Sequence, residues 1–166
     1  MAAKGQRPRN DVAKSNLGNS RIFTYTLVMQ RQSTIVRVIW AVCLMIGGLN
    51  HARILLQNGL FWDYGGAALS SVIYWSSLTI IDPIVAALLF VRPKLGICCT
   101  IVLIVTNVAH NLYVTALWAP AGEFIAHAAN LFLLSQIAFM AFVLASTRMA
   151  WDGAGDANGL PPVKFN

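Results

Sequence analysis

Charged residues are scarce in this chain. Asp, Glu, Lys and Arg together make up 11% of its 166 residues, and only six residues are acidic. Soluble globular domains carry about 25% charged residues, whereas here the hydrophobic residues alone reach 57%. The composition therefore excludes the soluble globular class and predicts an all-α integral membrane protein.

Cysteine is also rare, and phosphate-binding motifs are missing. The three cysteines, Cys43, Cys98 and Cys99, lie inside apolar runs and have no CxxC spacing. We therefore expect neither a disulfide framework nor a cysteine metal site. No GxGxxG or phosphate loop occurs among the glycines, so nothing in the sequence indicates nucleotide chemistry.

Long apolar runs dominate what remains. Four of them, at about 35–57, 67–91, 96–118 and 124–147, reach the roughly 20 residues that a membrane-spanning helix needs. Their short connections predict an up-down four-helix bundle within residues 35–147. Residues 1–34 are predicted to be a basic tail with an interfacial segment, and residues 148–166 a disordered tail. Because the first run starts only at Ile35, we expect no cleavable signal peptide.

Basic residues fall on one side of the predicted spans. Those next to the spans are Arg31, Arg37, Arg92, Lys94 and Arg148. By the positive-inside rule this side is cytoplasmic, which predicts a multi-pass protein of the cell (inner) membrane with both termini in the cytoplasm. The same distribution accounts for the pI of about 9.7 without a nucleic-acid partner, so the bilayer is the expected environment.

Polar residues inside the spans follow helical spacing. In the third span Asn107, His110 and Asn111 are at i, i+3 and i+4, so they share one face. The other spans carry comparable stripes: Asn50 and His51; Ser71, Trp75, Thr79 and Asp82; and Glu123, His127 and Asn130. Since lipid cannot satisfy these groups, the stripes are predicted to face one another.

At about 1.5 Å of rise per residue, the histidines come out shallow and Asp82 comes out near the bilayer midplane. We therefore expect an outward-facing polar cavity. Its predicted ligand-binding residues are Asp82, His110, Asn107, Asn111, His51, Asn50 and Asn130, and its predicted rim or gating residues are Arg53, Glu123 and His127. A carboxylate at the midplane is costly, so Asp82 should be either neutral or paired with a cation or histidine.

Structural roles compete with these assignments. Histidine and asparagine side chains in membrane helices often hydrogen-bond a neighbouring helix. Arg53 can extend to the interface, or pair with Asp63 or Glu123. His127 lies close enough to the predicted surface to be solvated.

Four functions stay open from the sequence. The first is binding or transport of a small polar ligand, proton or cation, for which a homo-oligomer or a membrane-protein partner is expected because the chain has no internal repeat. The second is a non-catalytic structural or assembly subunit. The third is a small membrane enzyme that uses Asp82 and His110 as an acid-base pair on a lipophilic substrate. The fourth is a haem or metal site at His51, His110 and His127.

Overall fold

The computed structural model describes the backbone of residues 10–60 and 62–155, and side chains from residue 24 onward. This part of the chain is helical and contains no strand. Its helices are α1 (Asn10–Asn58), α2 (Leu69–Val91), α3 (Pro93–Trp118), α4 (Phe124–Ala128) and α5 (Leu131–Asp152). All but α4 are long and apolar enough to span a membrane. The structure therefore confirms the predicted all-α class and the presence of four helices that are able to span a membrane.

Helix α1 is much longer than the predicted first span. It begins at Asn10 and runs without a break to Asn58, about 70 Å at helical rise. No proline or glycine interrupts the chain between Arg21 and Ser33, so the backbone hydrogen bonds continue through the segment predicted as a tail with an interfacial patch. Residues 1–9 of that predicted tail lie outside the described residues.

The predicted fourth span is divided into two helices. Helix α4 ends at Ala128, and α5 begins at Leu131. Asn130 lies between them with extended backbone angles, and its side-chain oxygen accepts a hydrogen bond from Leu133 N at 2.9 Å. This N-cap satisfies an amide that would otherwise have no partner at the start of α5. The local cap therefore starts a new helix where the apolar run predicts a continuous one.

The start of the predicted C-terminal tail is packed. Helix α5 continues to Asp152, and Ala150 and Ala154 beyond the predicted span are buried. A Cβ atom at Gly153 would overlap Met29 O of α1, so small residues let the two backbones approach closely. Residues 156–166 lie outside the described part, and the prediction of disorder there stays a prediction.

The four long helices form a ring of contacts. Helix α1 packs against α2 and α5, and α3 packs against the same two helices. The core between them is aliphatic except for Trp40, which is fully buried and donates from Nε1 to Ser146 Oγ at 3.2 Å. We call one end of this ring the base. There, Ser33 Oγ donates to the Ala150 carbonyl at 2.6 Å.

Arg37 closes the base from inside. It is only 8% exposed, and its Nη1 donates to Leu89 O at 2.7 Å. That carbonyl lies in the last turn of α2, where carbonyl groups lack a helical N–H partner. The residue four positions later, which would supply the N–H in a continuing helix, is Pro93, and proline has none. The sequence analysis groups Arg37 with the basic residues of the cytoplasmic side, and the structure shows that its side chain donates a hydrogen bond to the end of α2.

Close packing of α1 on α2 places the candidate site. A Cβ at Gly48 would lie 3.1 Å from Pro83 Cδ, and a Cβ at Gly47 would lie 3.0 Å from Asp82 Oδ2. The two glycines therefore allow α2 to approach the C-terminal part of α1 closely. This approach brings the Asp82 carboxyl against the backbone of α1.

Candidate functional site

Asp82 lies in the middle of α2, immediately before the internal proline. Helix α2 continues through Pro83, although proline cannot donate the backbone hydrogen bond of its position. The side chain of Asp82 is 7% exposed. The acid is therefore held deep in the ring of helices rather than on its outer surface.

A cavity of about 430 Å³ lies beside this carboxyl. All four long helices contribute to its wall. The lining residues are Cys43, Leu44, Ile46, Gly47, Asn50, His51, Asp82, Leu103, Ile104, Asn107, Phe132, Ser135, Gln136 and Phe139. Much of the wall is thus aliphatic or aromatic, and its polar groups are a minority that includes one acid. This combination of an apolar wall with a few polar groups is typical of small-molecule sites.

The Asp82 carboxyl has no hydrogen-bond donor among the residues that the structure describes. Among the residues whose side chains are described, none donates a hydrogen bond to it or forms an ion pair with it. A carboxyl that is largely removed from solvent is unfavourable unless its oxygens are paired. A ligand that supplies donors or a positive charge would remove that penalty.

The cavity brings together part of the predicted site. Asn50 and His51 line it from α1, and Asn107 lines it from α3. Together with Asp82, four of the predicted ligand-binding residues therefore line the same cavity. His51 Nδ1 is buried and has no hydrogen-bond partner among the described side chains. The amides can donate and accept, so the polar side of the cavity offers both kinds of group around a single acid.

Asn111 is engaged elsewhere. Its Oδ1 accepts from Trp75 Nε1 at 2.9 Å, and its Nδ2 donates to Gln136 Oε1 at 2.7 Å and to Asn107 Oδ1 at 3.2 Å. Both amide hydrogens are therefore used within the protein. The residue ties α2, α3 and α5 together and orients two cavity residues, instead of lining the cavity itself.

His110 lies in a different cavity. That space, about 370 Å³, lies between α2 and α3 and includes Tyr74 and Ser71 but neither Asp82 nor His51. The His110 ring packs on Tyr74 with a centroid distance of 4.5 Å and on Trp75 at 5.5 Å. The sequence puts Asp82 and His110 on inward-facing stripes, but the two side chains line separate cavities. An acid-base pair made of these two residues is not assembled in the structure.

The predicted rim residues do not gather around the cavity. Arg53 is exposed and forms no ion pair with Asp63 or Glu123 in the described part of the chain. Glu123 and His127 are exposed beside α4. Asn130 is the N-cap of α5, and its Nδ2 donates to the His127 carbonyl at 2.6 Å. In a continuous fourth helix, Glu123, His127 and Asn130 would share one face. The break before α5 removes that alignment.

The three histidines are separated as well. His51 lines the Asp82 cavity, His110 lines the second cavity, and His127 is exposed. Within the residues that the structure describes, no three His, Cys, Asp or Glu side chains form a group suited to a metal ion. The geometry therefore gives no support to a shared haem or metal centre at these histidines.

Comparison with protein-family models, with curated proteins and with solved structures gives no match. The function must therefore be argued from the site itself.

Gln136 is a cavity residue that the predicted site does not include. It lies in the second turn of α5, lines the cavity, and accepts a hydrogen bond from Asn111. A long amide in an otherwise apolar helix is a signal that the sequence contains. The amide could be assigned to the site only once its hydrogen bond to Asn111 on α3 was known.

Proposed function

We propose that this chain is a multi-pass membrane protein that binds a ligand at Asp82, through a cationic or hydrogen-bond-donating group, in a transport or ligand-binding role. The observation that carries the proposal is a buried carboxyl that has no donor among the described side chains and lies beside a cavity of about 430 Å³. A charge placed in the membrane interior and left unpaired by the protein favours function over packing. Asn50, His51 and Asn107 would complete the ligand's polar contacts.

The proposed architecture is an up-down bundle with the base on the cytoplasmic side. Support comes from the basic residues gathered at the base, where Lys94 Nζ lies 5.9 Å from the centre of the Trp151 ring and Arg148 pairs with Asp152 at 3.5 Å. These cations would lie at the cytoplasmic surface of the cell membrane, as the positive-inside rule requires. The Asp82 cavity would then lie nearer the outer half of the bilayer.

The test is retention of a small molecule through purification. We would extract the wild type and the Asp82→Asn variant in parallel and record native mass spectra of both. An adduct of about one per chain is expected in the wild type and is expected to be lost in Asp82→Asn. The Asp63→Asn variant, which removes an exposed acid from a loop, should keep it. An adduct retained equally by Asp82→Asn would remove Asp82 from the proposal.

A further inference from the structure

The wall of the Asp82 cavity is interrupted between α1 and α5. Two of its lining residues, Ile46 on α1 and Phe132 on α5, are 63% and 62% exposed. A residue that both lines a cavity and is open to the outside marks an opening. Because these two residues belong to adjacent helices of the ring, the opening lies between α1 and α5, and it reaches the first turn of α5 at the end away from the base.

The packing of α1 and α5 accounts for this opening. Their close contacts lie at the base, between Ser33 and Ala150 and between Trp40 and Ser146. Towards the other end, α1 packs on α2 through Gly47 and Gly48, and α5 is linked to α3 by the Asn111–Gln136 hydrogen bond. The hydrogen bonds that join α1 to α5 thus lie towards the base, and beyond them residues of both helices line the cavity.

Residues around the opening are apolar and would face lipid. Leu49 on α1 and Leu131 and Leu134 on α5 are exposed, and both helices are apolar enough to span a membrane. A water-soluble ion would have to cross hydrocarbon to use this path, and that step is costly. An apolar chain would cross it freely and could then fill the aliphatic part of the cavity.

We infer that the Asp82 cavity takes an amphipathic amine from the bilayer, with the ammonium group at the Asp82 carboxyl and the apolar body between Ile46 and Phe132. This inference rests on the proposed function and narrows it to one ligand class. Charge complementarity selects the ammonium head, since Asp82 is the acid that lines the cavity and no cation in the described part of the chain pairs with it. The aliphatic wall and the lateral opening select the tail.

The experiment compares ligands that share a head or a tail. Dodecylamine has both parts, methylamine has the head alone, and laurate has a similar tail with the opposite charge. Binding of each would be measured by native mass spectrometry of the purified protein, titrated in one detergent. Dodecylamine is expected to bind at least about tenfold more tightly than either of the other two compounds.

Two variants on α1 test the opening. Ile46→Trp adds bulk to the opening, whereas Ile35→Trp makes the same substitution at an exposed residue of α1, near Ser33 at the base, that does not line the cavity. We expect Ile46→Trp to weaken dodecylamine binding about fivefold or more, and Ile35→Trp to change it less than about twofold. Size-exclusion profiles would establish that both variants are folded. Equal effects of the two variants would overturn the lateral opening.

Asp82 variants separate the inference from the proposed function. Loss of dodecylamine binding in Asp82→Asn, with retention in Asp82→Glu, would support both. If methylamine binds as tightly as dodecylamine and depends on Asp82, the amphipathic ligand is wrong while the Asp82 site stands. If neither amine binds, or if laurate binds as well as dodecylamine, the amine inference is overturned. Dodecylamine binding that is unaffected by Asp82→Asn would contradict the proposed function too.

Discussion

Arg37 gives the sharpest test of how the base is held together. Its guanidinium is buried and donates to Leu89 O at 2.7 Å, at a helix end that Pro93 deprives of an amide. A hydrogen bond from a charged donor contributes about 1.5–3 kcal/mol. The second bond, to Thr34 Oγ1 at 3.3 Å, is long, and Arg37 Nε is buried without a partner. Arg37→Met removes this unpaired buried atom together with the hydrogen bonds, which offsets part of the lost stabilisation. We therefore expect Arg37→Met to lower the free energy of unfolding by about 1–2 kcal/mol.

Thermal unfolding of the purified protein in detergent measures this loss. For a chain of this length, about 1–2 kcal/mol corresponds to a fall in Tm of about 2–8 °C. Arg31→Met removes an equal charge from an exposed position of the same helix and should move the Tm by less than about 2 °C. Arg37→Lys keeps the charge and one donor and should fall between the two. If Arg37→Met is as stable as Arg31→Met, the buried hydrogen bond does not hold the base.

Two further predictions concern the contacts between α3 and its neighbours. A Cβ at Gly96 would overlap the backbone of Leu89, which cannot rotate away as a side chain could. Gly96→Ala should therefore lower the free energy of unfolding by about 1–3 kcal/mol. Gly155→Ala, where a Cβ meets nothing within 4 Å, should leave the Tm unchanged in the same melting assay. Asn111→Leu leaves partners on three helices unsatisfied and should lower stability by about 1–3 kcal/mol. Asn58→Leu loses only a bond to its own helix and should be nearly silent; equal Tm values for these two variants would count against the network.

The helical class and the spans could be predicted from the sequence, because they depend on hydropathy averaged over many residues and not on single contacts. Runs of some twenty apolar residues leave a backbone few options in a membrane, and helical spacing then assigns polar residues to faces. On that basis Asp82, Asn50, His51 and Asn107 are predicted to meet, and all four line one cavity. The division of the fourth span at Asn130 is local, but it depends on a cap that competes with the apolar run, and hydropathy alone does not weigh that competition.

The sequence by itself determined that this chain is an α-helical protein able to span a membrane four times, with polar stripes on its spans. The tertiary structure decided which stripes share a space. His110 and Asp82 are both on inward-facing stripes, yet small differences in helix rotation and packing send one to the rings of Tyr74 and Trp75 and the other to Gly47. Helical period fixes which residues share a face of one helix, whereas the neighbour that meets the face is set by close approaches between helices. Those approaches depend on side-chain volumes far apart in the chain.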